Sequence, residues 1–445
     1  MPLLRWLLLL LLIGSLVSCA GISSNNSSSN GGNSGGGGSG GSGGGSGGIS
    51  AAFFGMQMNT GVLHQQPWPA PAFGTIRLWD TNTAWGEINS AAGVYDWTVL
   101  DRWISTAQSH GVTDLMYTFG KTPGWASSSP NDTACAAFWE AGACDPPDDL
   151  NPDGSGTDQH WKDFVTAIAT HVGSKIQYWE GWNEPENITE WTGTASQLAR
   201  MAKDARSIIL GINPKAVMLT PPSHDTFFKQ YVAAGGVQYA DIVTFHGYLG
   251  GRCGEFPDTS HISERVSGIQ TTLAAAGITG KPLWDTEGSW GDEQTSCFTD
   301  QDQRAAFLAQ YYLLHLSENV SRFYWYQWNN NTWGTLWSPS PAPNGTMLQA
   351  GIAYQQVYNW LVGSTLATPC SATGMQWTCT FTRPGGYQAE VIWDTSQSCT
   401  NGACTTIDVS VDPKYSKSHD LAGNSSLVSN STIAVGLKPI WLTNQ

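Results

Sequence analysis

Two glutamates in this chain each close an aromatic-rich apolar run. Glu184 ends Tyr178-Trp179-Glu180-Gly181-Trp182-Asn183-Glu184 and precedes Pro185. Glu287 ends Pro282-Leu283-Trp284-Asp285-Thr286-Glu287 and precedes Gly288. Two carboxylates at the ends of two core strands are what acid-catalysed cleavage of a sugar–sugar bond needs. One protonates the leaving oxygen, and the other attacks the anomeric carbon or activates water. Glu180 is the nearest rival to Glu184. It lies four residues earlier, on the same face of a strand and deeper, so it reads as structural or as a group that tunes Glu184. Other chemistries lack their motifs. The histidines show no His-x-x-x-His spacing, the cysteines no Cys-x-x-Cys pair. Matches to Gly-x-Ser-x-Gly, such as Gly37–Gly41, fall in a Gly/Ser stretch where they carry no meaning. No phosphate-cradling loop ending in Lys-Ser/Thr occurs. The expectation is therefore an active site without metal or cofactor.

The elements that must hold this pair come from the apolar periodicity. Eight short runs begin near residues 53, 75, 114, 176, 216, 241, 281 and 322. Helical patterns separate them at 98–110, 159–173, 194–211, 261–277 and 301–317; Leu198, Met201, Ala202 and Ala205 have the spacing of one helix face. Eight strands with helical crossovers predict an α/β (β/α)8 TIM barrel over residues 50–362. The link from Gly61 to Ala72 is too proline-rich for a helix, so the first crossover should be irregular. Active sites of such barrels lie at the C-terminal ends of the strands, and Glu184 and Glu287 fall at the ends of runs four and seven. Residues 363–445 alternate with a period of two between turn signals, as in Gln376–Phe381, Tyr387–Trp393 and Thr406–Val411. They predict a C-terminal β-sandwich domain.

Composition narrows the partners. Only 12% of the 445 residues are charged, and the net charge is −15, which argues against nucleic acid or an anionic membrane surface. The 22 tryptophans suit stacking on the apolar faces of sugar rings, although a large core uses the same side chain. Arg5 and the apolar run Trp6–Ile13 read as an export signal over residues 1–18. Leu16-Val17-Ser18-Cys19 resembles a bacterial lipobox, which implies a lipid on Cys19. Residues 21–48 are Gly, Ser and Asn apart from Ile22; with Cys19 they make 19–49 a lipidated flexible tether of about 30 Å. The expected location is the cell envelope, with a lipid anchor as the only membrane contact; plain secretion is the alternative. Eight further cysteines imply disulfides. Proximity favours Cys135–Cys144, Cys370–Cys379 and Cys399–Cys404, leaving Cys253 with Cys297. The Asn187 and Asn344 sequons would matter only in a glycosylating host.

Asn183-Glu184-Pro185 on the fourth strand and Glu287 on the seventh resemble the retaining glycoside hydrolases of clan A. Thr122-Pro123-Gly124-Trp125-Ala126 after the third strand, with the trailing sandwich, makes the chain most similar to glycoside hydrolase family 39, which holds β-xylosidases and α-iduronidases. The resemblance spans residues 50–445. It implies a glycosidase that forms a covalent glycosyl-enzyme on a carbohydrate substrate. A β-xylosidase-like activity is implied first, with an endo-glycanase or α-L-arabinofuranosidase of the same clan as the alternative. A sugar-binding lipoprotein without catalysis is the alternative from another class. Glu184 resembles the acid/base, so its pKa should be raised. Glu287 resembles the nucleophile, kept ionised by hydrogen bonds. Arg77 matches an arginine near the nucleophile, unless it merely pairs with Asp80 or Asp285. Asn183 would bind the sugar 2-hydroxyl, and His246 and Tyr248 would offer a ring that bonds the nucleophile. Trp328 would floor the cleaved-sugar subsite, with Trp125 and Trp290 as stacking walls.

Overall fold

The computed structural model describes residues 47–445 apart from 137, 250–252, 254, 294–296, 343 and 430. The export signal, Cys19 and all of the tether up to residue 46 lie outside the described residues.

Eight parallel strands form one sheet: β1 (Phe54–Met56), β2 (Thr75–Leu78), β3 (Asp114–Thr118), β4 (Tyr178–Glu180), β5 (Val217–Leu219), β6 (Val243–His246), β7 (Leu283–Gly288) and β8 (Val320–Trp325). Their order is β5-β4-β3-β2-β1-β8-β7-β6. A parallel bridge from Leu219 to Ile242 joins the two ends of that order, which makes the sheet a (β/α)8 barrel. Each strand sits within one of the eight apolar runs, except that β7 continues to Gly288, past the end of its run, and β8 starts two residues before its own.

The crossovers are α1 (Thr98–Ser109), α2 (Gln159–Val172), α3 (Ala195–Ile212), α4 (Asp225–Ala233), α5 (His261–Ala275) and α6 (Gln301–Ser317), with α7 (Gln349–Leu361) after β8. Sequence explains these boundaries. In α1 the buried residues are Leu100, Trp103, Ile104 and Ala107, the i, i+3, i+4, i+7 stripe of an amphipathic helix. In α3, Thr194 and Gln197 cap each other reciprocally at the N-terminus. The β1–β2 link holds only one short 3-10 turn, Thr60–Leu63, as its prolines require.

The barrel interior is layered. At the N-terminal end Arg322 bonds Asp114 at 2.7 Å and lies 4.1 Å from the Trp284 ring and 4.4 Å from the Tyr178 ring. Met116, Leu219, Ile242, Trp284 and Tyr324 form an apolar plug. Arg77, Thr118 and Glu180 then open a buried polar layer towards the strand ends.

After α7 the chain is all β. One sheet of six has strands β9 (Thr365–Thr373), β10 (Gln376–Arg383), β11 (Tyr387–Asp394), β13 (Lys417–His419), β14 (Ser425–Leu427) and β16 (Ile440–Thr443), ordered β9-β10-β11-β16-β13-β14. A two-stranded sheet of β12 (Thr406–Ser410) and β15 (Thr432–Gly436) makes the second layer. Ile392, Val411, Tyr415, Val435 and Leu442 fill the space between. All four expected cysteine pairs are present, as in a chain that folds in an oxidising compartment. No helix among the described residues is long and apolar enough to cross a membrane.

Candidate active site

The site grows from β2. Arg77 is fully buried and spends its donors on four neighbours. Its Nε donates to Glu180 Oε2 at 2.7 Å and its Nη1 to Glu287 Oε2 at 2.6 Å. Nη1 also reaches Gln57 Oε1 at 3.2 Å, and Nη2 donates to Asn183 Oδ1 at 2.8 Å. Burial disfavours the guanidinium charge, but Glu180 and Glu287 more than restore it. Arg77 thus ties the ends of β1, β4 and β7 together. The bond to Asp80 or Asp285 considered from sequence is replaced by these contacts. Glu180 also accepts from Thr118 Oγ1 at 2.9 Å, so its tie is to Arg77, the partner of Glu287, rather than to Glu184.

Glu184 sits on the turn leaving β4 with φ 37°. A non-glycine residue there is strained, and such strain concentrates at functional sites. Its Oε1 lies 2.6 Å from His246 Nδ1. Burial raises its pKa, against the pull of Arg77 and His224. Burial also lowers His246 to about 4, so the imidazole is neutral and one proton lies between it and the carboxyl.

Glu287, at the end of β7, accepts from Tyr248 at 2.7 Å through Oε1 as well as from Arg77. Burial pushes it up to about 7, opposed by His246 and Arg77 and reinforced by Glu184 and Asp80. The hydrogen bonds expected to favour its anion are present, from Arg77 and Tyr248, and burial raises the carboxyl against them. A carboxylate oxygen of Glu184, one of Glu287 and a ring nitrogen of His246 lie within 4.8 Å of one another.

Several expected contacts change. His246 bonds Glu184; its Nε2 is 3.9 Å from Glu287, beyond a hydrogen bond. Tyr248 is the ring on Glu287. Trp328 is 1% exposed and stacked near Trp337, because the amides of Leu336 and Trp337 both return to its carbonyl and fold the loop over it. No face is open to floor a subsite. Trp290, 2% exposed, packs against Trp325, Phe298 and Arg304 and is core. Trp125 is half-buried, its Nε1 donating to Asn89 O at 2.9 Å and its ring meeting His160 edge-on.

Other aromatics stand beside the carboxylates. Tyr248, Tyr326 and Trp333 form a partly exposed edge-to-face cluster, and the Tyr326 hydroxyl donates to Asp80 at 2.6 Å. On the opposite flank, Trp139 lies 6.0 Å from Trp79, and Lys121 Nζ is 3.5 Å from the Trp139 ring. Trp139 Nε1 donates to Glu190 at 3.3 Å. Burial, then the Glu184 charge, lifts Glu190 well above the carboxylate range and Glu186 to about 8. Sequence reading passed over Gln57 and Tyr326 and named Asp80 only as a possible partner of Arg77, yet each is a polar or hydroxyl-bearing residue at the end of an apolar run, which is the signal that found Glu184. Nothing local marks Trp139, Glu186 or Glu190.

Among the described residues, two clusters have the spacing of metal ligands. One is Glu184, His246 and Glu287; there the Arg77 guanidinium already occupies the cationic position against Glu287. The other, Asp148, Asp149 and His160, opens α2, where Asp149 Oδ2 accepts the amides of Gln159 and His160.

The fold is that of the glycoside hydrolases of clan A: an eightfold barrel with carboxylates at the ends of strands four and seven, and a β-sandwich behind. Among solved structures it is similar to a family 39 glycoside hydrolase from the gut symbiont Bacteroides cellulosilyticus WH2, with 17% identity, a TM-score of 0.62, and coverage of 89% of this chain and 81% of that one. It is similar also to a monomeric β-xylosidase from Caulobacter crescentus CB15 (16% identity, TM-score 0.57, 89% and 97% covered). A family 51 arabinofuranosidase from Xanthomonas axonopodis pv. citri follows at 12% identity and TM-score 0.52, with 90% and 98% covered. No protein-family model and no curated protein sequence matches the chain. At these identities the likeness is one of fold.

Proposed function

We propose that the chain is a retaining glycosidase, β-xylosidase-like, acting on oligo- or polysaccharides. The observation that carries this reading is the approach of one carboxylate oxygen of Glu184 and one of Glu287 to within 4.8 Å. Retention places its two carboxyls about 5–5.5 Å apart, whereas inversion leaves about 6.5–9.5 Å for a water. In the first step Glu287 attacks the anomeric carbon, and Glu184 gives its proton to the departing oxygen. The bond to the leaving sugar breaks and a glycosyl ester forms. In the second step Glu184 takes a proton from water, the water oxygen attacks the same carbon, and Glu287 is released. Tyr248 and Arg77 donate to Glu287 when it is the anion. Asn183, whose carbonyl is fixed by Arg77, turns its amide NH2 to the sugar 2-hydroxyl. The β-xylosidase among the similar folds supports a β-xylosidase-like activity.

The test is a panel of aryl glycosides with NMR of the first-formed anomer. The reading expects retention, and loss of turnover in a folded Glu287→Ala protein; inversion, or a fully active variant, would sink it. We propose further that the protein is exported and anchored by a lipid on Cys19, in keeping with its four disulfides. Cys19→Ser should then release it from the membrane fraction, and equal retention of both forms would overturn the anchor.

A further inference from the structure

Behind the nucleophile strand lies a buried acid–imidazole pair that the two-carboxylate reaction does not use. Asp285 and His315 are both fully buried, with His315 Nε2 2.7 Å from Asp285 Oδ2. His315 Nδ1 is 2.7 Å from the carbonyl of Tyr311 on its own helix, α6. A carbonyl only accepts, so Nδ1 carries a hydrogen, and Nε2 is the nitrogen turned to the acid. The Phe323 ring on β8 stacks on the imidazole at 4.1 Å and fixes its plane.

The other oxygen of Asp285 is spent on backbone. Oδ1 accepts the amide of Glu287 at 3.2 Å and the amide of Gly247 at 3.1 Å. Gly247 stands between His246 and Tyr248, the residues that touch Glu184 and Glu287. One carboxylate therefore holds the ends of β6 and β7 in register. The sequence makes room for it: a Cβ at Gly247 would collide with the Asp285 carboxylate and the Tyr311 hydroxyl. Tyr311 closes the arrangement by donating to the Gly247 carbonyl. The titratable and charged groups around the pair are Tyr311 and Glu318 on and after α6, and Arg265 on α5.

We propose that His315 and Asp285 are positioning residues: the imidazole pins Asp285, and Asp285 pins the two backbone amides that set His246, Tyr248 and Glu287 against one another. This rests on the glycosidase reading only for its kinetic consequence; the structural part stands without it. Loss of the pin leaves the site assembled but loose, and misplacement of that kind costs about 100-fold in rate.

The experiment uses the full chain and the aryl glycoside that the wild type cleaves best. In His315→Phe, kcat should fall about 100-fold with KM within about 3-fold, because the error is in alignment rather than in sugar binding. His315→Gln, whose amide can hydrogen-bond Asp285 as donor or acceptor, should recover to within about 5-fold of wild type. Backbone amide NMR should show Gly247 and Glu287 displaced in His315→Phe and restored in His315→Gln. Asp285→Leu keeps the volume but removes the accepting oxygens, and should lower kcat in a folded protein even if His315→Phe does not fold. The proposal is overturned if folded His315→Phe or Asp285→Leu keeps wild-type kcat, or if glutamine is no better than phenylalanine. Should the wild type cleave no glycoside, the kinetic reading fails with the proposed function. The amide shifts then decide the pin alone, and unmoved Gly247 and Glu287 resonances in folded Asp285→Leu would refute it.

Discussion

Glu184 and Glu287 compete for one charge. Each is raised by burial, and the anion of one raises the other. Two such groups titrate as a pair. The productive state has the proton on Glu184, where neutral His246 can share it, and the charge on Glu287, where Arg77 and Tyr248 donate. The sign of the coupling gives a test. A glycoside with a dinitrophenyl leaving group needs no proton from Glu184, so the acid limb of kcat/KM reports ionisation of free-enzyme Glu287. That limb should lie near pH 7 in the wild type, activity falling below it as Glu287 is protonated. Near pH 7 the pair shares its protons, and Glu184→Gln removes the share of negative charge on Glu184 that raises Glu287, so the limb should move to lower pH. An unmoved limb would mean that the two carboxylates do not sense each other.

The connection from β3 to α2 runs for some forty residues with no helix or strand of its own, and such loops in compact domains usually carry function. Its middle is clamped by Cys135–Cys144 and docked on the loop that carries Glu184. Thr192 N donates to Cys144 O at 2.9 Å, and Trp139 reaches Glu190. Trp139 is partly exposed, between Trp79 and Lys121. It is placed to serve as the stacking wall that Trp328 and Trp290 do not provide. Losing one aromatic stack of about 1 kcal/mol should raise KM about 5-fold in Trp139→Ala with kcat near wild type. Cys135→Ser with Cys144→Ser should raise KM likewise and lower stability by about 2–3 kcal/mol, the entropy of so short a loop. Oligosaccharide kinetics and thermal melts check both, and an unchanged KM in either variant would remove the loop from the substrate path.

These elements also mark where the sequence was legible. The eight strands and their helices repeat a pattern that local physics imposes: an apolar run needs two buried faces, a striped run needs one. Strand-end polar residues stood out against that background, hence Glu184, Glu287 and Arg77. The partners were not legible from local pattern, because they meet across the barrel: Gln57 and Thr286 are 229 positions apart, and Arg77 was set near Glu287, 210 positions away, only by the family resemblance. Tryptophan exposure was not legible either. A core and a sugar platform ask for the same side chain, and only the path of the 328–337 loop decides that Trp328 is covered.

At the scale of the molecule, the sandwich completes the barrel. The two fall in one compact unit. α6 is buried on nearly every side, including the polar Gln310 and His315. Gln310 is fully buried: its amide donates to Leu437 O in the sandwich at 2.8 Å, and its carbonyl accepts from Thr259 at 2.8 Å. Trp360 of α7 stacks on Trp441 of β16 at 5.7 Å. Arg383 of β10 donates to the carbonyls of Asn359 and Trp360 at the end of α7, both at 2.8 Å. Cutting the chain at residue 362 would therefore strand a buried polar side chain, the open carbonyls of a helix end and an apolar face carrying Trp360. The freed polar groups regain water, but each large apolar side chain newly exposed costs about 1.5–3 kcal/mol, against a total stability of only about 5–15 kcal/mol for a typical domain. The truncated barrel should therefore fail to fold or be recovered insoluble, and the full chain should melt in a single transition that carries activity away with it. A soluble 47–362 fragment with native circular dichroism and wild-type turnover would show that the barrel stands alone. Gln310→Leu probes the same interface more gently. It removes a donor and an acceptor from a dry contact, so it should lower the melting temperature by several degrees through about 1–3 kcal/mol while leaving kcat untouched, since the contact lies on the outer face of α6 towards the sandwich.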